Sequence, residues 1–175
     1  MTPIILALNV GSSSLKFALF RCGSRAEGET RLAAGAIERI GVDDRFTDHG
    51  AAIAAACAAL QQQRQPEPDA VGHRLVHGGP RHAHPERVSP ELLASLREMV
   101  PFAPLHLPTA LEVIEAVAAR FPRLPQVVCF DTAFHAGLPE VSRRLPLPRP
   151  LFDPSTGCPM STWWRSSAPP RSAGP

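Results

Sequence analysis

Lysine is almost missing from this chain. Lys16 is the single lysine, and arginine carries the rest of the cationic charge. The four cysteines at 22, 57, 129 and 158 form no Cys-x-x-Cys pair, which argues against a zinc site or a disulfide framework. Cys57 and Cys129 lie in apolar runs and read as buried thiols. The longest apolar run, Ala51 to Leu60, is too short to span a bilayer. The amino terminus lacks a basic region followed by a long apolar stretch, so no signal peptide is indicated and a cytoplasmic protein is expected. A formal charge of +2 exerts no strong pull toward nucleic acid or membrane. The turn Gly11-Ser12-Ser13-Ser14-Leu15 lacks the second glycine of a nucleophile elbow. It also lacks the second glycine and the Gly-Lys-Ser/Thr ending of a Walker loop.

What remains is a chain of 175 residues, 44% of them hydrophobic, enough for one domain with a real core. The 20 prolines cluster at 101–108, 122–125 and beyond 139, where long regular elements are not expected. Ile4–Leu8 and Leu15–Phe20 are predicted strands, and Arg31–Glu38 a third. Val42 to His49 reads as a polar loop. Asp48 is placed to cap an Ala-rich helix from Gly50 to about Gln63. Ala70–Val76 is a strand ending in His-Gly-Gly. Ser89, Pro90 and Glu91 open a helix running to about Met99. Pro101–Pro108 is expected to be an extended loop. Pro108 then opens a helix to about Phe121, with Leu111, Ile114, Val117 and Ala118 on one face. Gln126–Phe130 is a short apolar strand. The order β-β-β-α-β-α-α-β suits a mixed sheet flanked by helices, an α/β fold.

The stretch Leu8-Asn9-Val10-Gly11-Ser12-Ser13-Ser14-Leu15-Lys16-Phe17 joins the first two strands as a hairpin. Its turn offers backbone N–H groups and hydroxyls to an anion with little bulk in the way, which suits a phosphate. Plain turn formation accounts for the same serines. Arg74 lies near a strand end entering a Gly-Gly turn. Its planar fork suits a carboxylate or phosphate, or an ordinary surface ion pair. Asp131 follows the Val127–Phe130 run, at a strand carboxyl end where open α/β sheets place ligands; a helix cap or turn is the other reading. His106 sits between Pro104 and Pro108, as a structural or solvated residue or as a ligand contact. His73, His77, His82 and His84 crowd one segment, but a strand and a glycine-rich turn do not by themselves present tetrahedral metal ligands.

Four segments change the balance when taken in order. They are the hairpin, Val71-Gly72-His73-Arg74-Leu75-Val76-His77-Gly78-Gly79, Ala103-Pro104-Leu105-His106-Leu107-Pro108, and Phe130-Asp131-Thr132-Ala133-Phe134-His135. Together they closely resemble the amino-terminal half of the acetate kinase family, whose relatives phosphorylate propionate or butyrate. The resemblance covers roughly residues 3–150. It implies a ribonuclease-H-like domain of the actin/hexokinase-like (ASKHA) superfamily, one of the two such domains of that fold. It implies reversible phosphoryl transfer from ATP to acetate with Mg²⁺, and a homodimer.

Carried onto this chain, the resemblance makes Arg74 the binder of the acyl substrate and Asp131 the acid/base candidate that organises the acceptor carboxylate. His106 becomes a phosphoryl contact. Val76 and Leu105 line the small pocket for the substrate methyl, or simply pack in the core. Lys16, Ser12 and Ser14 face the nucleotide phosphates, and Asn9 is the magnesium-linked residue, through water. One position departs from the pattern. The family usually has Asn where this chain has Leu107, and the loss of such an N-cap before proline is expected to cost about 1 kcal/mol.

The resemblance stops near Arg149. Leu151 to Pro175 holds five Pro, five Ser and two adjacent Trp without helical or strand period. It is read as an irregular, disordered or frameshifted tail on an incomplete domain, 1–150, with little kinase activity expected. The rival readings are a non-catalytic remnant that at most binds phosphate, and a different actin-like ATPase.

Overall fold

The computed structural model describes residues 2–134, except 25, 26, 43, 80 and 83, together with residue 139. His135 and the Pro/Ser-rich tail from Leu151 lie outside the described residues. A six-stranded sheet organises the described chain, in the order β3-β2-β1-β4-β6-β5. β1 (Ile4–Gly11), β2 (Ser14–Cys22) and β3 (Glu29–Glu38) form an antiparallel meander. β4 (Ala70–Leu75) adds in parallel to β1, and β6 (Gln126–Phe130) in parallel to β4. The two-residue β5 (Glu86–Arg87) closes the edge antiparallel to β6.

Period-2 alternation dictates which residues go inside. Ile4, Leu6 and Leu8 of β1, Leu15, Phe17 and Leu19 of β2, and Val71 of β4 are buried in one cluster. Two helices close that cluster. α1 (His49–Gln62) contributes Ala52, Ile53, Ala56, Cys57 and Leu60, and α3 (Leu107–Arg120) contributes Val113 and Val117. The alanines of α1 carry little bulk, so α1 lies close on both the sheet and α3. A second cluster under α2 (Pro90–Glu98) joins Leu75, Val128 and Phe130 to Leu92, Leu96, Leu107, Leu111 and Ile114. Burying a leucine-sized side chain stabilises by about 1.5–3 kcal/mol, so these two clusters dominate the fold. No helix among the described residues is long and apolar enough to cross a membrane.

The helix starts follow the capping chemistry. Asp48 accepts from the Ala51 N–H at 2.8 Å, which holds its carboxyl below the ordinary range. Ser89 accepts from Leu92 N–H at 3.2 Å, with Pro90 opening α2.

Three expectations are corrected. Pro101–Pro108 is not an extended loop: Val100–Phe102 winds into a 3-10 turn, and α3 begins at Leu107. Proline is tolerated there because a first-turn N–H has no intrahelical partner to lose. Leu107 is therefore no failed cap. His106 holds the cap position, and Leu107, 1% exposed, is packed in the second core cluster. Cys129 is exposed, not buried. In β6 the alternation sends Gln126, Val128 and Phe130 inward and Cys129 to the other face, so an apolar run does not imply burial on both sides. The two-residue β5 had no signal in the sequence, whereas the short α4 (Asp131–Phe134) begins at Asp131, where a helix cap or turn was the alternative reading.

His73 is buried within β4, and its Nε2–H donates to Gln126 Oε1 at 2.7 Å. Burial pushes its pKa down from 6.5 to about 4, against the smaller opposing effect of the Gln126 bond. The imidazole thus stays neutral in the fold while the unfolded chain takes up a proton below pH 6.5. Stability from this residue is complete above pH 6.5 and is lost as pH falls toward 4, by about 3 kcal/mol. Urea unfolding of the chain and of His73→Gln across that range should show the shallower pH slope in the variant. A second outcome follows from the position of Leu107. Restoring asparagine with Leu107→Asn should destabilise by about 2–4 kcal/mol, because a buried leucine is lost and a polar group is buried without a designed partner. A gain in melting temperature would show instead that the residue acts as a cap.

Candidate functional site

β1, β4 and β6 run parallel, so their carboxyl ends lie side by side. That edge gathers Asn9, Arg74 and Asp131. The register places Lys16 opposite Asn9, Asn9 opposite Arg74, and Arg74 opposite Cys129, in one row across β2, β1, β4 and β6. Arg74 lies in the same strand as His73, and alternation sends the guanidinium away from the core that holds the imidazole.

The Arg74 guanidinium uses three of its five N–H groups on neighbouring side chains and keeps one on each Nη. Nε donates to Asp131 Oδ1 at 2.9 Å, Nη2 donates to Asp131 Oδ2, and Nη1 donates to Asn9 Oδ1 at 3.0 Å. The bidentate hydrogen bond that Arg74 donates to Asp131 raises the Arg74 pKa further above its ordinary value. The two side chains are 46% and 40% exposed, so the pair stands in water rather than in the core. An exposed pair of this kind adds at most about 1 kcal/mol to stability. A bidentate guanidinium at a strand edge, open to solvent, is a ready receptor for an oxyanion.

The hairpin turn stands beside this edge. Ser12 and Ser13 form it, and Ser14 faces Gly11 across the strands. A Cβ on residue 11 would sit 2.7 Å from Ser14 Oγ, so any larger residue would turn that hydroxyl away from its present position. The turn is tied down from behind. Buried His49, the first residue of α1, donates from Nε2 to the Gly11 carbonyl at 3.1 Å, and Ile40 N–H donates to the Ser13 carbonyl at 3.0 Å.

A second tether fixes the turn after β4. Gly79 has φ +67, a left-handed conformation that favours glycine, and a Cβ there would have to displace the Met99 side chain, whose Sδ would lie 2.6 Å away. Its N–H donates to His77 Nδ1 at 2.7 Å, and burial pushes the His77 pKa down. Gly78 N–H makes a long bond of 3.4 Å to Thr132 Oγ1, next to Asp131.

The structure therefore brings together Asn9, Arg74 and Asp131, with Lys16 adjacent in register and Ser12 and Ser14 in the flanking turn. Val76 follows β4 directly and is half-buried. Leu105 is 76% exposed, and His106 is exposed at the start of α3. No hydrogen bond among the described residues joins the His106 side chain to Arg74, Asn9 or Asp131, and Leu105 is not part of the packed core. Sequence reasoning missed His49 and Thr132. His49 directly follows the capping aspartate, and only the fold shows that its ring reaches the hairpin. Asn9 Oδ1 and the Asp131 carboxylate are hard oxygen donors on the Arg74 edge; no group of three or more His, Cys, Asp or Glu gathers to hold a metal among the described residues.

Comparison with known proteins fits this geometry. A family model, that of the acetokinase family, matches residues 4–154. The acetate kinase of Deinococcus radiodurans is 42% identical over 164 residues, covering 84% of this chain and 40% of that protein. The acetate kinase of Sulfurovum sp. is 38% identical over 169 residues, covering 85% and 41%. The crystal structure of Porphyromonas gingivalis acetate kinase superposes with a TM-score of 0.72 at 32% identity, over 85% of this chain and 42% of that one. A propionate kinase from Francisella tularensis superposes with a TM-score of 0.69 at 30% identity over the same shares. The chain thus spans about two fifths of the length of the relatives it matches. With the ribonuclease-H-like α/β sheet, the Arg74 edge and a family match across most of its length, this chain belongs to the acetokinase family.

Proposed function

We propose that this chain supplies the acyl-binding side of an acetate kinase site, which transfers a phosphoryl group reversibly between ATP and acetate. The observation that carries the reading is the solvent-exposed Arg74 fork, held by Asp131 and Asn9 where three parallel strands end. Phosphoryl transfer to a carboxylate asks for two anions to be held in line, and for charge on the transferring group to be met by fixed cations and donors. Arg74 meets the first demand by giving two N–H groups to the carboxylate of acetate. Asp131, which grips the same guanidinium, keeps the fork oriented and organises the acceptor. It need not remove a proton, since a carboxylate nucleophile is already ionised.

Ser12, Ser14 and Lys16 face the nucleotide phosphates on this reading, with the hairpin held rigid by His49. Exposed His106, at the start of α3, meets the phosphoryl group in transfer. The donor set suits Mg²⁺, which favours oxygen and keeps several waters: Asn9 Oδ1 would hold it largely through water. When bound, the ion supplies neutralisation of phosphate charge. Val76 and Leu105 offer apolar surface to the substrate methyl. Propionate is a second reading, favoured by the likeness to the Francisella propionate kinase. A small apolar pocket separates the two acids by only about 1–3 kcal/mol per methylene.

Titration of acetate into the chain, followed by NMR of the Arg74 side chain, tests the reading. Acetate should shift the Arg74 Nε resonance. Arg74→Lys, which keeps the charge but not the fork, should weaken binding by roughly 10- to 100-fold, the worth of a charge-assisted hydrogen bond. Its stability should change by less than about 1 kcal/mol, because the pair is exposed. Equal acetate affinity in Arg74→Lys would refute the assignment.

A further inference from the structure

His82, Glu86 and Ser95 form a polar cluster that the proposed transfer does not use. His82 Nδ1 lies 2.7 Å from Glu86 Oε1 on β5, and His82 Nε2 lies 2.8 Å from Ser95 Oγ on α2. A carboxylate only accepts, so Nδ1 carries the proton and donates it to Glu86. In the neutral ring Nε2 keeps its lone pair, and the Ser95 hydroxyl donates to it. The ring also stacks on Phe130, with centroids 5.8 Å apart and planes 27° from parallel. The imidazole is held at both nitrogens and on one face, in the tautomer a general base needs. Hydroxyl, base and orienting carboxylate stand in the relation that activates a serine nucleophile on unrelated folds.

A cation completes the neighbourhood. Arg81, next to His82 in sequence, pairs with Glu98 at 2.6 Å. Glu98 is three residues beyond Ser95 on α2 and shares its face. Arg81 is 59% exposed and therefore accessible to an incoming anion.

We infer that Ser95 is an activated nucleophile that accepts an acyl group from an anionic activated acyl donor of the acyl phosphate class. Ser95 Oγ forms a bond to the acyl carbon as the bond from that carbon to the phosphate oxygen breaks. Phosphate leaves with the electron pair. The hydroxyl proton passes to His82 Nε2 and then to the departing phosphate. The product is an O-acyl serine ester, with no oxidant or reductant involved. The nucleophile stands on this cluster alone, whereas the acyl phosphate class of donor rests on the kinase reading, which the neutral ester in the test does not need.

The test incubates the full chain with acetyl phosphate and, separately, with the neutral ester p-nitrophenyl acetate, followed by intact mass and peptide mapping. One acetyl group should appear on Ser95 with both donors and be removed by hydroxylamine, as an ester is and a lysine amide is not. Ser95→Ala should abolish that label, and Glu86→Gln should slow it by at least about tenfold. Arg81→Gln should slow labelling by acetyl phosphate only. Labelling in urea, which needs no variant to fold, should fall to the level of any other serine. Acetyl found only on Lys16 or the amino terminus would overturn the inference. So would Ser95 labelling that Glu86→Gln or urea leaves unchanged, or a phosphoryl group in place of acetyl. Equal slowing of both donors by Arg81→Gln would overturn the preference for an anionic donor.

Discussion

The register of β4 between β1 and β6 is the constraint on which the other features depend. Side chains alternate along a strand, so a slip of one residue moves every side chain to the opposite face. In the observed register His73 faces the core and Arg74 faces the row that holds Asn9 and Lys16. A one-residue slip would push the guanidinium into an apolar core and lift the imidazole out of it. Burying an unpaired cation costs far more than any single contact in this fold supplies. The core and the candidate site are therefore specified by the same pairing, and neither can be assembled without the other.

The site stands on backbone that is anchored rather than loose. The hairpin turn is tied by His49 to α1, and the glycine turn after β4 is tied by His77 and Thr132. These anchors are partly or fully buried and sit behind the exposed groups. Their arrangement separates two tasks: buried histidines shape the loops, while exposed Arg74 and Asp131 remain accessible to a ligand. His82 does both. It packs against Phe130, one residue before Asp131, and still reaches Ser95 and Glu86.

Strands and helices with a clear apolar period were legible in the chain. So were the Asp48 and Ser89 caps, because both rest on local chemistry within four residues. The segment from Pro101 to Pro108 was misread because proline density argues for extended chain, whereas a 3-10 turn, a second turn and the start of α3 accommodate the same residues. Cys129 was misread because an apolar run does not tell which of its alternate residues meets a second layer. Leu107 was misread because its burial is set by packing with residues of α2 and β6, outside its own helix, which a local capping pattern does not report.

Sequence by itself determined the hairpin, the α/β class, the family and the identity of Asn9, Arg74 and Asp131 as the residues worth watching. Those rest on residue order and on local pattern. Tertiary structure alone decided that Arg74 and Asp131 are partners, that Asn9 spends its oxygen on the same guanidinium, and that His49 holds the turn. It also decided that Ser95, His82 and Glu86 meet. These contacts join residues up to 65 positions apart. They exist only because parallel strand pairing returns distant segments to one edge, and a linear pattern holds no record of which edge that is.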